Sequence, residues 1–162
     1  MATVKVSYAS STTILCSVAA LASGTNQARF SSLVDNATNL YSDALLYVAV
    51  KVSGTALAND KSVYVYLYGS EDGTSYSMSS REGSGTDVTA ILEIPTNLKP
   101  GMTISCPGTS NTYRGVTSVA QAFNGVMPRK WGIVIDNFTG QLLDPTESNH
   151  TKSYTGITYT VV

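Results

Sequence analysis

The residues able to do chemistry are few in this sequence, and their spacing keeps them apart. A hydrolytic triad needs an imidazole base, a nucleophile and an orienting acid. The chain has a single histidine, His150, in the polar stretch SNHTK, and no Gly-x-Ser-x-Gly elbow. The acids occur singly except for Glu71-Asp72, which stand beside Gly73 at a turn signal where solvated charge is expected. A metal site needs several converging ligands, and no such grouping is visible. Cys16 and Cys106 lie 90 residues apart with no Cys-x-x-Cys spacing. They read as two buried free thiols, with one disulfide as the alternative. No Gly-rich loop ends in Lys-Ser or Lys-Thr, so nucleotide binding has no support. No catalytic residue, cofactor site or metal site is assigned, and the chain is expected not to be an enzyme.

The strongest chemical grouping is aromatic. In the run SVYVYLY, period-two alternation puts Tyr64, Tyr66 and Tyr68 on one strand face and Val63, Val65 and Leu67 on the other. Three rings in a row can stack on a sugar. They can equally pack under a covering segment or against another subunit, where tyrosine offers apolar area and a hydroxyl. The flanking Ser, Lys and Gly lack the carboxylates and amides that usually bind sugar hydroxyls. That favours packing or an interface, and Tyr64, Tyr66 and Tyr68 are the candidate contact residues.

Composition narrows the partners. Charged residues make up 13% of the chain, about half the ~25% typical of soluble domains. Polarity comes from hydroxyls instead, with 21 Ser and 20 Thr among 162 residues. Such a surface suits contact with other protein, because few strongly hydrated charges must be stripped. Net charge is −1, and the ten basic residues are scattered, with Arg129-Lys130 the densest pair. Phosphate-backbone binding wants clustered cations, so no nucleic-acid partner is expected. Residues 14–22, ILCSVAALA, resemble the apolar part of a signal peptide, but the stretch before them is hydroxyl-rich with Lys5 its only charge. They also fall far short of the ~20 residues that span a bilayer. They are expected to form a strand or short buried segment in a cytoplasmically made protein, with no membrane partner. Three Asn-x-Thr matches, at Asn36, Asn137 and Asn149, are what chance gives in a Thr-rich chain.

The elements that must position these residues read as strands. TVKVSY (3–8), ALLYVAVKV (44–52), SVYVYLY (62–68), SYSMSS (75–80), VTAILEI (88–94), MTISC (102–106), WGIVIDNF (131–138) and TGITYTVV (155–162) are separated by Gly, Pro and Asx turns, including the Asp72-Gly73 hairpin signal. YRGVTSVAQAF (113–123) fits a strand or one short helix, and only residues 26–40 show a helical period. Short strands at this spacing predict an all-β, antiparallel, jelly-roll-like β-sandwich with at most one or two short helices. No repeat or linker divides residues 1–162, so one domain is expected, with residues 1–40 as an N-terminal arm or helix-containing extension.

The runs YVYLYGSEDGTSYS, IPTNLKPG, TYRGVTSVAQAFNGVMPRKWGIVIDNFTGQLL and YTGITY together resemble a family of small virion-associated structural proteins of tailed bacteriophages. The resemblance covers roughly residues 40–162. It is most specific from Tyr113 to Leu143, where Gly-Val-Met-Pro-Arg-Lys-Trp-Gly is followed by Asn-Phe-Thr-Gly. The resemblance supplies no functional residues. It implies a structural component of the virion, first a capsid decoration (cement) protein that bridges major capsid subunits and stabilises the mature head. A neck, tail or fibre-base subunit is the alternative, and a virion-surface glycan-binding module using the tyrosines is the alternative from another class. It further implies a homo-oligomer, such as a trimer, on the capsid exterior or at the neck or tail, made in the host bacterial cytoplasm. Within that frame Trp131 is expected to anchor the sandwich, with Pro128 fixing strand entry and Arg129-Lys130 at a rim.

Overall fold

The structure, a computed structural model, describes residues 2–24, 28–54, 57–58, 60–77, 98–108 and 110–162, and the backbone at 89–90. It is an antiparallel β-sandwich. The strands are β1 (Val4–Tyr8), β2 (Thr12–Thr13), β3 (Ala28–Phe30), β4 (Val34–Asp35), β5 (Asp43–Lys51), β6 (Ser62–Ser70), β7 (Thr89–Ala90), β8 (Lys99–Ser105), β9 (Thr112–Ser118), β10 (Lys130–Phe138) and β11 (Thr151–Val161). Two one-turn helices, α1 (Asn36–Asn39) and α2 (Val119–Ala122), and a 3₁₀ turn at Glu147–Asn149 complete the described elements. The first sheet runs β1-β11-β5-β9, with β2 also on β11; the second runs β7-β3-β10-β6-β8, with β4 also on β10.

Alternation decides what each sheet buries. Leu46, Val48 and Val50 of β5 meet Val63, Val65 and Leu67 of β6 and Trp131, Ile133 and Ile135 of β10 in the core between the sheets. The apolar stretch at 14–21 is irregular rather than a strand, and Ile14, Cys16, Val18 and Leu21 fill the same core. Glu147 pins it in place, accepting the Val18 and Ala19 amides at 2.9 and 2.8 Å while pairing with the buried Lys152. Cys16 and Cys106 are both buried, with no disulfide between them, and burial pushes the Cys106 thiol up to about 11.

In the second sheet the central strand β10 is buried on both faces. The outer side of that sheet carries a smaller cluster of Ala28, Phe30, Tyr68, Leu98 and Val134. Residues 131–137 are therefore buried without a break. The same cluster overturns the helix expected over residues 26–40. Among the residues described there, Ala28–Phe30 and Val34–Asp35 are strands on β10, and only Asn36–Asn39 is helical. Ala28 and Phe30 gain burial together only at strand spacing, and this outweighs a weak helical preference. Asp35 caps α1 through the Ala37 amide at 2.8 Å, and Leu40, with φ 53°, ends it.

Residues 113–123 form strand and helix in succession, β9 and then α2. Asp72-Gly73 makes a turn, with Gly73 at φ 83° and the Asp72 carboxylate accepting the Thr74 and Ser75 amides at 2.7 Å each. The strand expected at 75–80 is not formed by residues 75–77, and 78–80 lie outside the described residues. Of the strand expected at 88–94, Thr89–Ala90 is formed and the rest lies outside them.

Candidate functional site

Tyr64, Tyr66 and Tyr68 do share one face of β6, opposite Val63, Val65 and Leu67, but they are not equivalent. Tyr68 is fully buried: its ring lies over Gly132, its hydroxyl donates to the Ser31 carbonyl at 2.9 Å, and Phe30 and Tyr76 pack against it. The chain's own segments cover it, so it cannot touch a partner. Tyr66 and Tyr64 are both half-buried, with ring centroids 6.2 Å apart. The Tyr64 hydroxyl donates to the Asp60 carboxylate; that bond, with burial and the charge of Asp60, pushes its pKa up to about 12.

Asp136 stands opposite Tyr64 in the register, on the same outer face. It is 6% exposed and its Oδ1 has no hydrogen-bond partner. Burial, with the nearby Asp60 charge adding to it, raises the carboxyl to about 6. The remaining polar groups have structural duties. His150, in the polar stretch SNHTK, is buried; its Nδ1 accepts the Lys51 amide at 3.2 Å and its Nε2 lies 2.9 Å from the Asp144 carbonyl. Asp144 is held well below the usual carboxylate range by Asn149, the Thr146 amide and Lys51. Asn137 is buried and donates to the Leu21 and Gln141 carbonyls, so its sequon is no modification site in the folded chain. Among the described residues no group of three His, Cys, Asp or Glu side chains could hold a metal, and no helix is long and apolar enough to cross a membrane.

Apolar exposure, by contrast, is concentrated at one end of the sandwich. There β11 runs past the start of β5 and continues with β1 alone as a two-stranded ribbon, Val4–Tyr8 against Ile157–Val161. The pairs Val4–Val161, Val6–Tyr159 and Tyr8–Ile157 share one face, while Lys5–Thr160 and Ser7–Thr158 share the other. Val6 is 51% exposed and Tyr159 60%. This face continues the outer side of the first sheet, since Tyr154, the inward residue of β11, packs edge-on to Trp131 at 5.4 Å.

At the same end lies a groove of about 740 Å³ between α1, the end of β6 and the loop after α2. Phe123 and Met127 are half-buried in it, and Leu40 and Val126 stand 76% and 70% exposed at its rim, with Lys99, Glu71 and Arg129 around it. Backbone geometry holds the two rim residues out. Leu40 takes the left-handed conformation that ends α1, and Val126 follows the positive-φ pair Asn124-Gly125. The ribbon joins the same region, because the Ser42 amide donates to the Ile157 carbonyl at 2.9 Å and the Tyr41 ring covers Gly156. The sequence signal for this surface was present in two halves, TVKVSY and TGITYTVV, each readable as a strand with one apolar side. Neither half shows that its apolar side is left uncovered.

No protein-family model matches the chain, and no curated protein matches it.

Proposed function

We propose that this chain is a non-enzymatic structural protein of a tailed-bacteriophage virion, a decoration protein that binds the outside of the head and stabilises the mature capsid. The observation that carries this reading is the end of the sandwich just described, where uncharged apolar side chains on the ribbon and around the groove are left in water. Single exposed apolar residues are ordinary, but Val4, Val6, Tyr8, Tyr159 and Val161 are neighbours on one ribbon face, and such a group marks a contact surface. Low charge and many hydroxyls elsewhere support it, as does the family resemblance of residues 40–162. Stabilisation would work by mass action. A protein that binds only the expanded lattice favours it by RT ln(1 + [L]/Kd) per site, ~2.7 kcal/mol at a hundredfold excess over Kd. Repeated over many sites, this resists the pressure of packaged DNA.

The test is location and rebinding. Purified protein added to mature capsids lacking it is expected to rebind, to raise their heat tolerance and to bind unexpanded precursors poorly. Labelled protein found at one vertex or along the tail, and nowhere on the facets, sinks the decoration reading and leaves the neck or tail subunit in its place. A glycan-binding role rests on the two tyrosines that keep open surface, Tyr64 and Tyr66, beside the Asp60 carboxylate. With Tyr68 buried, the three-ring platform is reduced to two. A glycan array with Tyr66→Ala as control separates this role from the first.

A further inference from the structure

We propose that Asp136 and Asp60, with the rings of Tyr64, Tyr66 and Phe138, form a guanidinium site on the outer face of the second sheet, one that takes an arginine side chain presented by a partner protein. Asp136 forms the floor. Its side chain is 6% exposed, and its Oδ1 has no hydrogen-bond partner. Buried polar groups almost always find partners, so a bare carboxylate is kept at a cost in stability. Its neighbours on the face follow from the register: Val134 and Phe138 on its own strand, Tyr64 across on β6 and Ala28 across on β3. The Tyr64 ring centroid lies 6.2 Å from that of Tyr66 and 6.2 Å from that of Phe138. The Tyr64 hydroxyl donates to Asp60, which is exposed at the rim and near enough for Asp136 to feel its charge. One carboxylate at the floor and one at the rim thus stand among aromatic rings.

What the face supplies, and what it lacks, sets the chemistry of the ligand. Among the described residues neither carboxylate is in an ion pair. A neutral ligand, a sugar included, would leave the buried charge of Asp136 uncompensated, so the ligand is a cation. A Ca²⁺ ion takes about six to eight oxygen ligands. This face offers two carboxylates and a phenol already bonded to one of them. An organic cation needs fewer contacts. A guanidinium spreads its charge over a plane that stacks on aromatic rings, while its N–H fork meets a carboxylate. An ammonium is a compact, strongly hydrated point charge and uses such a site less fully. A free amino acid would bring its own carboxylate to a face that is already acidic. Arginine within a chain, where the backbone is neutral, brings only the cation.

The experiment titrates the full chain and follows its tyrosine ring resonances by NMR, with thermal melting as the control for folding. The probe is N-acetyl-arginine methylamide, which carries the guanidinium on a neutral backbone; the matching citrulline compound has nearly the same shape and no charge. The arginine probe is expected to move the Tyr64 and Tyr66 resonances saturably with Kd ~1–10 mM, the range open to one small group. The citrulline probe is expected to leave them in place. Asp136→Asn should weaken binding ~10-fold or more, as loss of a charge-assisted hydrogen bond does. Asp60→Asn alters an exposed side chain and should weaken it less. Unmoved Tyr64 and Tyr66 resonances overturn the proposal. So does a citrulline probe that binds as well, or loss of neither carboxylate mattering. Ca²⁺ or methyl glucoside binding there more tightly than the arginine probe overturns it in favour of a metal or a sugar. Free L-arginine binding ~10-fold tighter than the blocked probe overturns the partner protein as its source. None of these outcomes bears on where the protein sits on a virion, so the decoration reading stands or falls separately.

Discussion

Trp131 is the largest fully buried side chain, in the core between the sheets and edge-on to Tyr154, yet its indole N–H has no hydrogen-bond partner. An unpaired buried donor costs about 1–3 kcal/mol, so packing of the ring outweighs that cost. Trp131→Ala is expected to destabilise by ~3–5 kcal/mol, whereas Trp131→Phe, which removes the orphan donor along with some volume, should cost distinctly less. Denaturant unfolding of the two variants checks the order, and equal losses would show that packing of the ring is not what Trp131 contributes. Asp136 poses the opposite problem. Its carboxyl is raised to about 6 from an ordinary 3.8, so the folded state holds a proton that the unfolded state releases. Its contribution is therefore intact below the unfolded value and is lost as pH rises from about 4 to about 6. Asp136→Asn should gain on wild type across that window by up to ~2–3 kcal/mol, with a constant advantage above it. A difference between the two proteins that stays flat from pH 4 to 7 would mean that Asp136 ionises normally.

At the scale of elements, β10 is the strand where substitutions are expected to cost most. It pairs with β6 along its whole length and with β3 and β4 on its other edge, and both of its faces are covered. Gly132 is where this crowding is greatest: a Cβ there would lie 2.5 Å from the Tyr68 ring. The ring is also tied by its hydroxyl to the Ser31 carbonyl, and the Ser31 hydroxyl accepts the Ile133 amide at 2.8 Å. Gly132→Ala must move an aromatic ring that is held at both ends, at the ~1–3 kcal/mol typical of overpacking. Tyr68→Ala in the same chain should absorb most of the Gly132→Ala penalty, since the clashing atoms are gone. Additive losses in that double-mutant cycle would contradict the contact.

For the whole molecule the decisive feature is asymmetry. The outer side of the second sheet carries its own small core, so its tyrosines are partly spent on internal packing. Apolar side chains are instead left in water where the ribbon leaves the sandwich. Binding through such a surface owes little to Coulomb attraction, which salt screens over ~10 Å at 0.1 M. In the rebinding measurement proposed above, moderate salt should thus leave the bound fraction nearly unchanged, while Val6→Asp/Tyr159→Asp on the exposed ribbon face should reduce it.

Local chemistry alone determined a good deal of this protein. The period-two runs of β5, β6 and β10 specify strands, and the alternation that separates Tyr64, Tyr66 and Tyr68 from Val63, Val65 and Leu67 follows from backbone geometry whatever the fold. The isolation of His150 and the scatter of the acids are likewise visible in the sequence, although the burial of His150 is not. Which apolar faces are covered was decided only in three dimensions. Residues 26–40 carry a helical period, yet 28–30 and 34–35 form strands on the second edge of β10, where Phe30 packs on the Tyr68 ring, and only 36–39 are helical. TVKVSY reads like any half-buried strand, with a face due to be covered. It stays in water because, paired with residues 157–161, its apolar side continues the outer side of the first sheet, the side that the second sheet does not pack against. Alternation tells which side of a strand is apolar, but only the layer above that side decides whether it becomes core or interface.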